Sequence, residues 1–340
     1  MPPTGVAQLS VRGMIADLVT AMTTPGRRTA AVLAALAGAA LVSSWCVGGA
    51  GVRSGTSPDK ASADRAAACL AEAWHHLEMV NYARAGELFG TALAGPCSRV
   101  QRAEAMLGLG QLKQFRQPEA DIAEAGRLYE AVARDFAETP AAPLAVMNLA
   151  RLADAPAVEK DRDRQKARRL YRQVMERYPS HFVADEAALR LGQTYLENVG
   201  DRAAEDEGAK VLQDWLAARG DNFLAAAMHL QLAALYERRG QYRRAVEHWT
   251  AADAADADAP VGRAIGRAAL ASLYLQVARV LEMRLKDYAE AARWYERIVV
   301  EIERDPKYHV AKLAADRCRR LASVPAGGEP DPNAPAEARP

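Results

Sequence analysis

The chain has 340 residues, with Lys+Arg 44 against Asp+Glu 43 and a formal net charge of +1. Hydrophobic residues make up 50% and charged residues 26%, a globular balance that excludes a chain disordered over most of its length. The even charge argues against nucleic acid as the main partner, because phosphate binding needs a positive excess. Aromatics are only 6% and alanine is abundant, which favours helices packed closely through small side chains.

In chain order the first feature is an uncharged run from Thr29 to Ala50, directly behind Arg27 and Arg28. A basic flank before an apolar run predicts an export segment, with 1–28 as a cytoplasmic leader. The strong apolar residues in the run are few (Val32, Leu33, Leu36, Leu41, Val42, Val47). Each favours insertion by about 0.3–0.6 kcal/mol, so a permanent span is marginal. Gly48 and Ala50 fit a small-x-small cleavage site, and a start at Met22 instead of Met1 gives an ordinary signal peptide. A cleaved signal and a single transmembrane anchor at 29–50 both stay open. Trp45 breaks the lipidation pattern before Cys46. Either way, the remainder is expected outside the cytoplasm, in the periplasm or cell envelope. Residues 51–61 read as a Gly/Ser/Pro-rich linker. Residues 324–340, with five prolines, read as a disordered tail.

Residues 62–323 repeat themselves. In the stretch from Ala226 to Asp258, Leu232, Ala233 and Tyr236 share one helical face. Gly240 breaks the helix, and Tyr242, Ala245, Trp249 and Ala252 form a second face. Two short amphipathic helices joined by a glycine turn predict an antiparallel hairpin. The second-helix pattern recurs at Tyr82/Ala85/Phe89/Ala92, Ala125/Tyr129/Val132, Ala167/Tyr171/Val174, a degenerate Gly208/Leu212/Trp215, and Tyr288/Ala291/Tyr295/Ile298. First helices show as Leu109-Gly110 and Leu191-Gly192 with Tyr195, although Lys113 replaces the tyrosine in the earlier unit. The small residues step by 40, 42, 41, 37 and 46 positions. A last amphipathic helix over Lys307–Ala322 carries Val310, Ala314, Cys318 and Leu321 on one face and closes the array.

These residues resemble the tetratricopeptide repeat (TPR) family. The stretch from Leu170 to Glu197 is similar to repeats of BamD- and CpoB-type bacterial envelope proteins. The resemblance implies an all-α fold: a right-handed α-solenoid of about six TPR-like hairpins plus a C-terminal capping helix, behind the N-terminal apolar segment. It also implies a concave face lined by first helices. By family position that face holds Leu70, Trp74 and Leu77; Glu186, Leu189, Gln193 and Glu197; and Leu230, Ala234, Glu237 and Arg238. Trp74 is the leading hot-spot candidate. The mixed apolar and charged lining suits a protein or peptide segment. Oligomeric state is not readable.

No P-loop, GxGxxG, GxSxG or HExxH motif occurs. His229 and His248 fall on the two helices of one hairpin and read as partly exposed histidines. Asp253, Asp256 and Asp258 lack the glycine and glutamate of a calcium loop and read as a solvated turn. No catalytic residue, cofactor or metal is expected. Cys69 and Cys97 lie 28 positions apart at the two ends of the first hairpin and are candidates for a disulfide; Cys318 reads as core. The expected function is a non-catalytic scaffold or adaptor for an envelope assembly, secretion or cell-wall complex. A membrane-anchored translocon accessory or chaperone-like protein is the alternative, and the helical platform of a polymer-acting enzyme a more distant one.

Overall fold

A computed structural model describes residues 58–115, 120–155, 159–219, 222–258, 265–302 and 305–323. The leader, the apolar run 29–50, most of the linker and the tail 324–340 lie outside the described residues. Thirteen α-helices and no strand occur among those residues. None of these helices is long and apolar enough to cross a membrane.

The chain divides into two compact units, one covering 58–228 and one covering 229–258 with 265–323. The first holds α1 (Pro58–Glu78), α2 (Tyr82–Ala94), α3 (Arg99–Phe115), α4 (Ile122–Asp135), α5 (Ala141–Asp154), α6 (Arg164–Arg177), α7 (Val183–Leu196) and α8 (Arg202–Ala218). Helix α9 (Ala225–Arg238) crosses the boundary. The second unit continues with α10 (Tyr242–Ala257), α11 (Arg267–Val280) with a π-helical turn at Leu281–Leu285, α12 (Tyr288–Glu301) and α13 (Tyr308–Ala322). In the first unit each helix packs on its chain neighbours, and the first helices α1, α3, α5 and α7 also touch in series. This is a helical-hairpin repeat.

Capping sets the repeat's register. Asn81, Asp121, Asp163, Asp201 and Asp287 each precede a second helix, and each side chain accepts a hydrogen bond from the backbone N–H three residues on. That bond satisfies a donor the helix start would otherwise leave open. Gln241 holds the sixth such position and makes no side-chain cap. In four of the six turns the residue before the cap has a left-handed backbone: Val80, Gly200, Gly240 and Lys286. Glycine adopts that conformation without strain, so the predicted break at Gly240 falls where the chain reverses.

Four residues past each cap stand Ala85, Ala125, Ala167, Glu205, Ala245 and Ala291. The five alanines are 0% exposed. Eight past each cap stand Phe89, Tyr129, Tyr171, Ala209, Trp249 and Tyr295, all buried. In the fourth hairpin the cap stands a turn further back, so Glu205 and Ala209 are buried at these offsets while the close crossing falls where the sequence places it: a Cβ on Gly208 would lie 3.0 Å from the Gly192 carbonyl oxygen, and Leu212 takes the ring's place. The large residues fit because the facing helix is hollowed out. A Cβ on Gly110 would lie 2.5 Å from the Tyr129 ring, and one on Gly192 would lie 2.6 Å from Leu212. Small-into-large packing of this kind lets two helix axes approach closely.

Three further expectations are revised. Cys69 and Cys97 are free thiols, not a disulfide. Helix α1 begins at Pro58, so Cys69 lies at mid-helix. There it packs against the core of the first unit. Second, Asp253 and Asp256 are buried inside α10 and do not form a solvated turn. Asp253 pairs with Arg297 at 2.6 Å and lies 2.9 Å from the Tyr274 hydroxyl, while Asp256 accepts from the Ile265 backbone N–H at 2.9 Å. Third, α13 buries Ala311, Ala314, Ala315 and Cys318, whereas Val310 and Leu321 face outward with Leu313 at 70% exposure. Burial pushes the Cys318 thiol up to about 11, as expected for a core cysteine.

Candidate binding surface

The first-helix residues named from the sequence fall into three groups. Leu70, Trp74, Leu77 and Leu189 are core and present nothing outward. Trp74, 2% exposed, packs edge-on against Phe89 with ring centroids 5.2 Å apart, and its indole N–H donates to Glu104 on α3 at 2.9 Å. Its burial corrects its assignment as a surface hot spot. The long helix α1 turns that face onto α2 and α3 instead of away from them.

A second group is engaged in ion pairs within the first unit. Glu186 on α7 receives the Arg151 guanidinium of α5 through two bonds, 2.5 and 3.2 Å, and both side chains are largely buried. Arg151 also donates to Asn148 at 2.9 Å, and Arg190 lies 3.7 Å from Glu186. Burial alone would raise the Glu186 carboxyl, but Arg151 and Arg190 outweigh it and hold the group below the ordinary range. One helical end further, Arg162 bridges Asp154 at 2.7 Å and Glu197 at 2.9 Å, and Arg164 joins Glu197 at 3.2 Å. Gln193 is half-buried between these clusters in sequence.

The third group lies in the second unit. Leu230 and Ala234 are half-buried, Arg238 is exposed, and Glu237 lines an open groove of about 430 Å³. Helices α9 and α11 form its walls and Glu237 accepts from Gln276 across it at 2.7 Å. Leu275, Val280 and Met283 give the groove an apolar floor and lip, with Met283 at 58% exposure. Arg279, Arg284 and Lys307 surround it with positive charge. Burial raises the Glu237 carboxyl above its usual value, with the Gln276 hydrogen bond working against it.

Except for Glu237, the groove's residues escaped the sequence reading. Helix α11 carries its own helical spacing (Leu270, Tyr274, Val277, Leu281, all buried), but the π turn adds a residue before α12 and lengthens that step of the repeat. The turn also brings Met283 and Arg284 to the groove's edge, where the Arg284 guanidinium stands 5.5 Å from the centroid of the Tyr242 ring. The missing signal was the Asp287 cap, which marks where the sixth hairpin turns.

No known family model matches the chain, and no curated protein matches it.

Proposed function

We propose that the chain is a non-catalytic scaffold that binds a protein segment, built as a TPR-like α-solenoid and acting in the cell envelope. The groove between α9 and α11 carries the reading. It sets the exposed Met283 and the half-buried Leu275 among three cations and one carboxyl that burial raises above its usual value, which suits an extended acidic segment bearing an apolar anchor residue. The series of touching first helices in the first unit supports a solenoid. The compartment rests on the uncharged run behind Arg27 and Arg28.

A photocrosslinking residue at Met283 tests this in native envelopes, with one at Val199 as a surface control in the first unit. A discrete adduct at Met283, absent at Val199 and lost on adding Arg279→Glu with Arg284→Glu, is the expected result. Equal adducts at both positions, or an adduct indifferent to the charge reversal, refutes the assignment.

A further inference from the structure

The groove between α9 and α11 leaves two cations uncompensated. Arg279 and Arg284 are both exposed, and among the described residues neither forms an ion pair. Lys307, the third cation, lies 3.6 Å from Asp305. The Glu237 carboxyl is engaged by Gln276 at 2.7 Å. Two guanidinium groups therefore stand beside Leu275 and Met283 with room for carboxylates.

The segment 324–340 of the same chain has the complementary chemistry. It carries Glu329, Asp331 and Glu337 against Arg339 alone. Glu329 and Asp331 are each followed by a proline, Pro330 and Pro332. Proline limits the backbone freedom that docking removes, and its ring offers apolar surface with no donor to satisfy. Its point of attachment is close. Arg317 of α13 donates to Glu282 at 2.8 Å, and Glu282 directly precedes Met283 and Arg284 on the groove's lip. Ser323 follows Arg317 by six residues, about 9 Å of helical rise. Packed helices stand about 8–10 Å apart. From Ser323 the two acids are six and eight residues on, up to about 20–26 Å of extended chain. They reach the arginines with chain to spare.

We propose that residues 324–340 occupy this groove, with Glu329 and Asp331 against Arg279 and Arg284 and the proline rings on Leu275 and Met283, and so withhold it from an outside partner. The proposal rests on the reading of the groove as a surface for an acidic segment, and adds its regulation. A short tether sets the local concentration of the segment on the order of millimolar, so a weak fit competes well. An outside segment displaces it by bringing what it lacks, a large apolar anchor in place of proline.

The purified full chain with a photocrosslinking residue at Met283 tests this, at a dilution where each chain meets only itself. Peptide mapping should place the adduct within 324–340, with the mass of the chain unchanged. Arg279→Glu with Arg284→Glu should cut its yield at least about fivefold. Glu329→Lys with Asp331→Lys should do the same while leaving every described helix unaltered. Combining all four substitutions should restore the adduct, which tethered proximity alone does not do. An adduct outside 324–340, one indifferent to either reversal, or one not restored by the combination overturns the proposal. Such a failure leaves the groove reading to its own test, because an outside partner adds mass to the Met283 adduct and an internal segment does not.

Discussion

The two units treat the same surface in opposite ways. In the first, adjoining first helices are joined by ion pairs: Arg151 with Glu186, and Arg162 with Asp154 and Glu197. In the second, the corresponding gap between α9 and α11 is crossed by one hydrogen bond, Glu237 to Gln276, and is otherwise open. Charge placement makes the difference. Opposite charges on successive helices close on each other, whereas Arg279 and Arg284 on α11 and its π turn have one carboxyl opposite them, on Glu237. A hairpin repeat can therefore close one such face with ion pairs and leave another open without a change of fold.

The sharpest way to break this contrast is to remove the buried acid. Glu186→Ala leaves Arg151 and Arg190 without their partner, and should cost about 3–5 kcal/mol in chemical denaturation. Its pH signature follows from the lowered folded-state pKa. The stabilisation is fully present above the unfolded value of about 4.3 and is lost as pH falls through the folded value. Glu186→Gln should therefore flatten that part of the acid-unfolding curve. A variant as stable as wild type would mean the pair is only ornamental.

A smaller effect comes from filling the hollow under an aromatic ring. Gly110→Ala puts a Cβ 2.5 Å from Tyr129 and should cost about 1–3 kcal/mol, and Ala245→Leu in the second unit should cost a similar amount. Capping gives about 1 kcal/mol in either direction. Asp163→Ala should destabilise by that amount, and Gln241→Asp should stabilise, because the Gln241 side chain accepts from the Arg244 guanidinium at 3.2 Å and makes no capping bond. Smallest of all, Arg279→Glu should change the unfolding free energy by no more than about 0.5 kcal/mol, since the side chain is exposed. If that variant instead unfolds the second unit, the open groove is structural and its proposed role fails.

Much of the helical architecture was legible because its cause is local. Ala85, Ala125, Ala167, Ala245 and Ala291 announce close crossings by size alone, and Gly240 announces a reversal. Gly208 announces the fourth crossing in the same way, although its helix starts a turn earlier, at the Asp201 cap. The surface was far less legible. Whether Trp74 or Leu189 points inward depends on which neighbours a helix touches, and helical periodicity marks an apolar face without saying what covers it. Glu186 and Glu197 looked like contacts for a partner because their arginines, Arg151 and Arg162, lie 35 positions away in sequence.

The hairpins of the first unit touch mainly the helices beside them in the chain. Nearly every stabilising contact there joins residues less than about 45 positions apart, so its contact order is low and it should fold fast for its size. A nascent chain could complete each hairpin soon after the segment leaves the ribosome, before the next is made. The same locality means that no hairpin of this unit has to wait for the distant end of the chain before it can close.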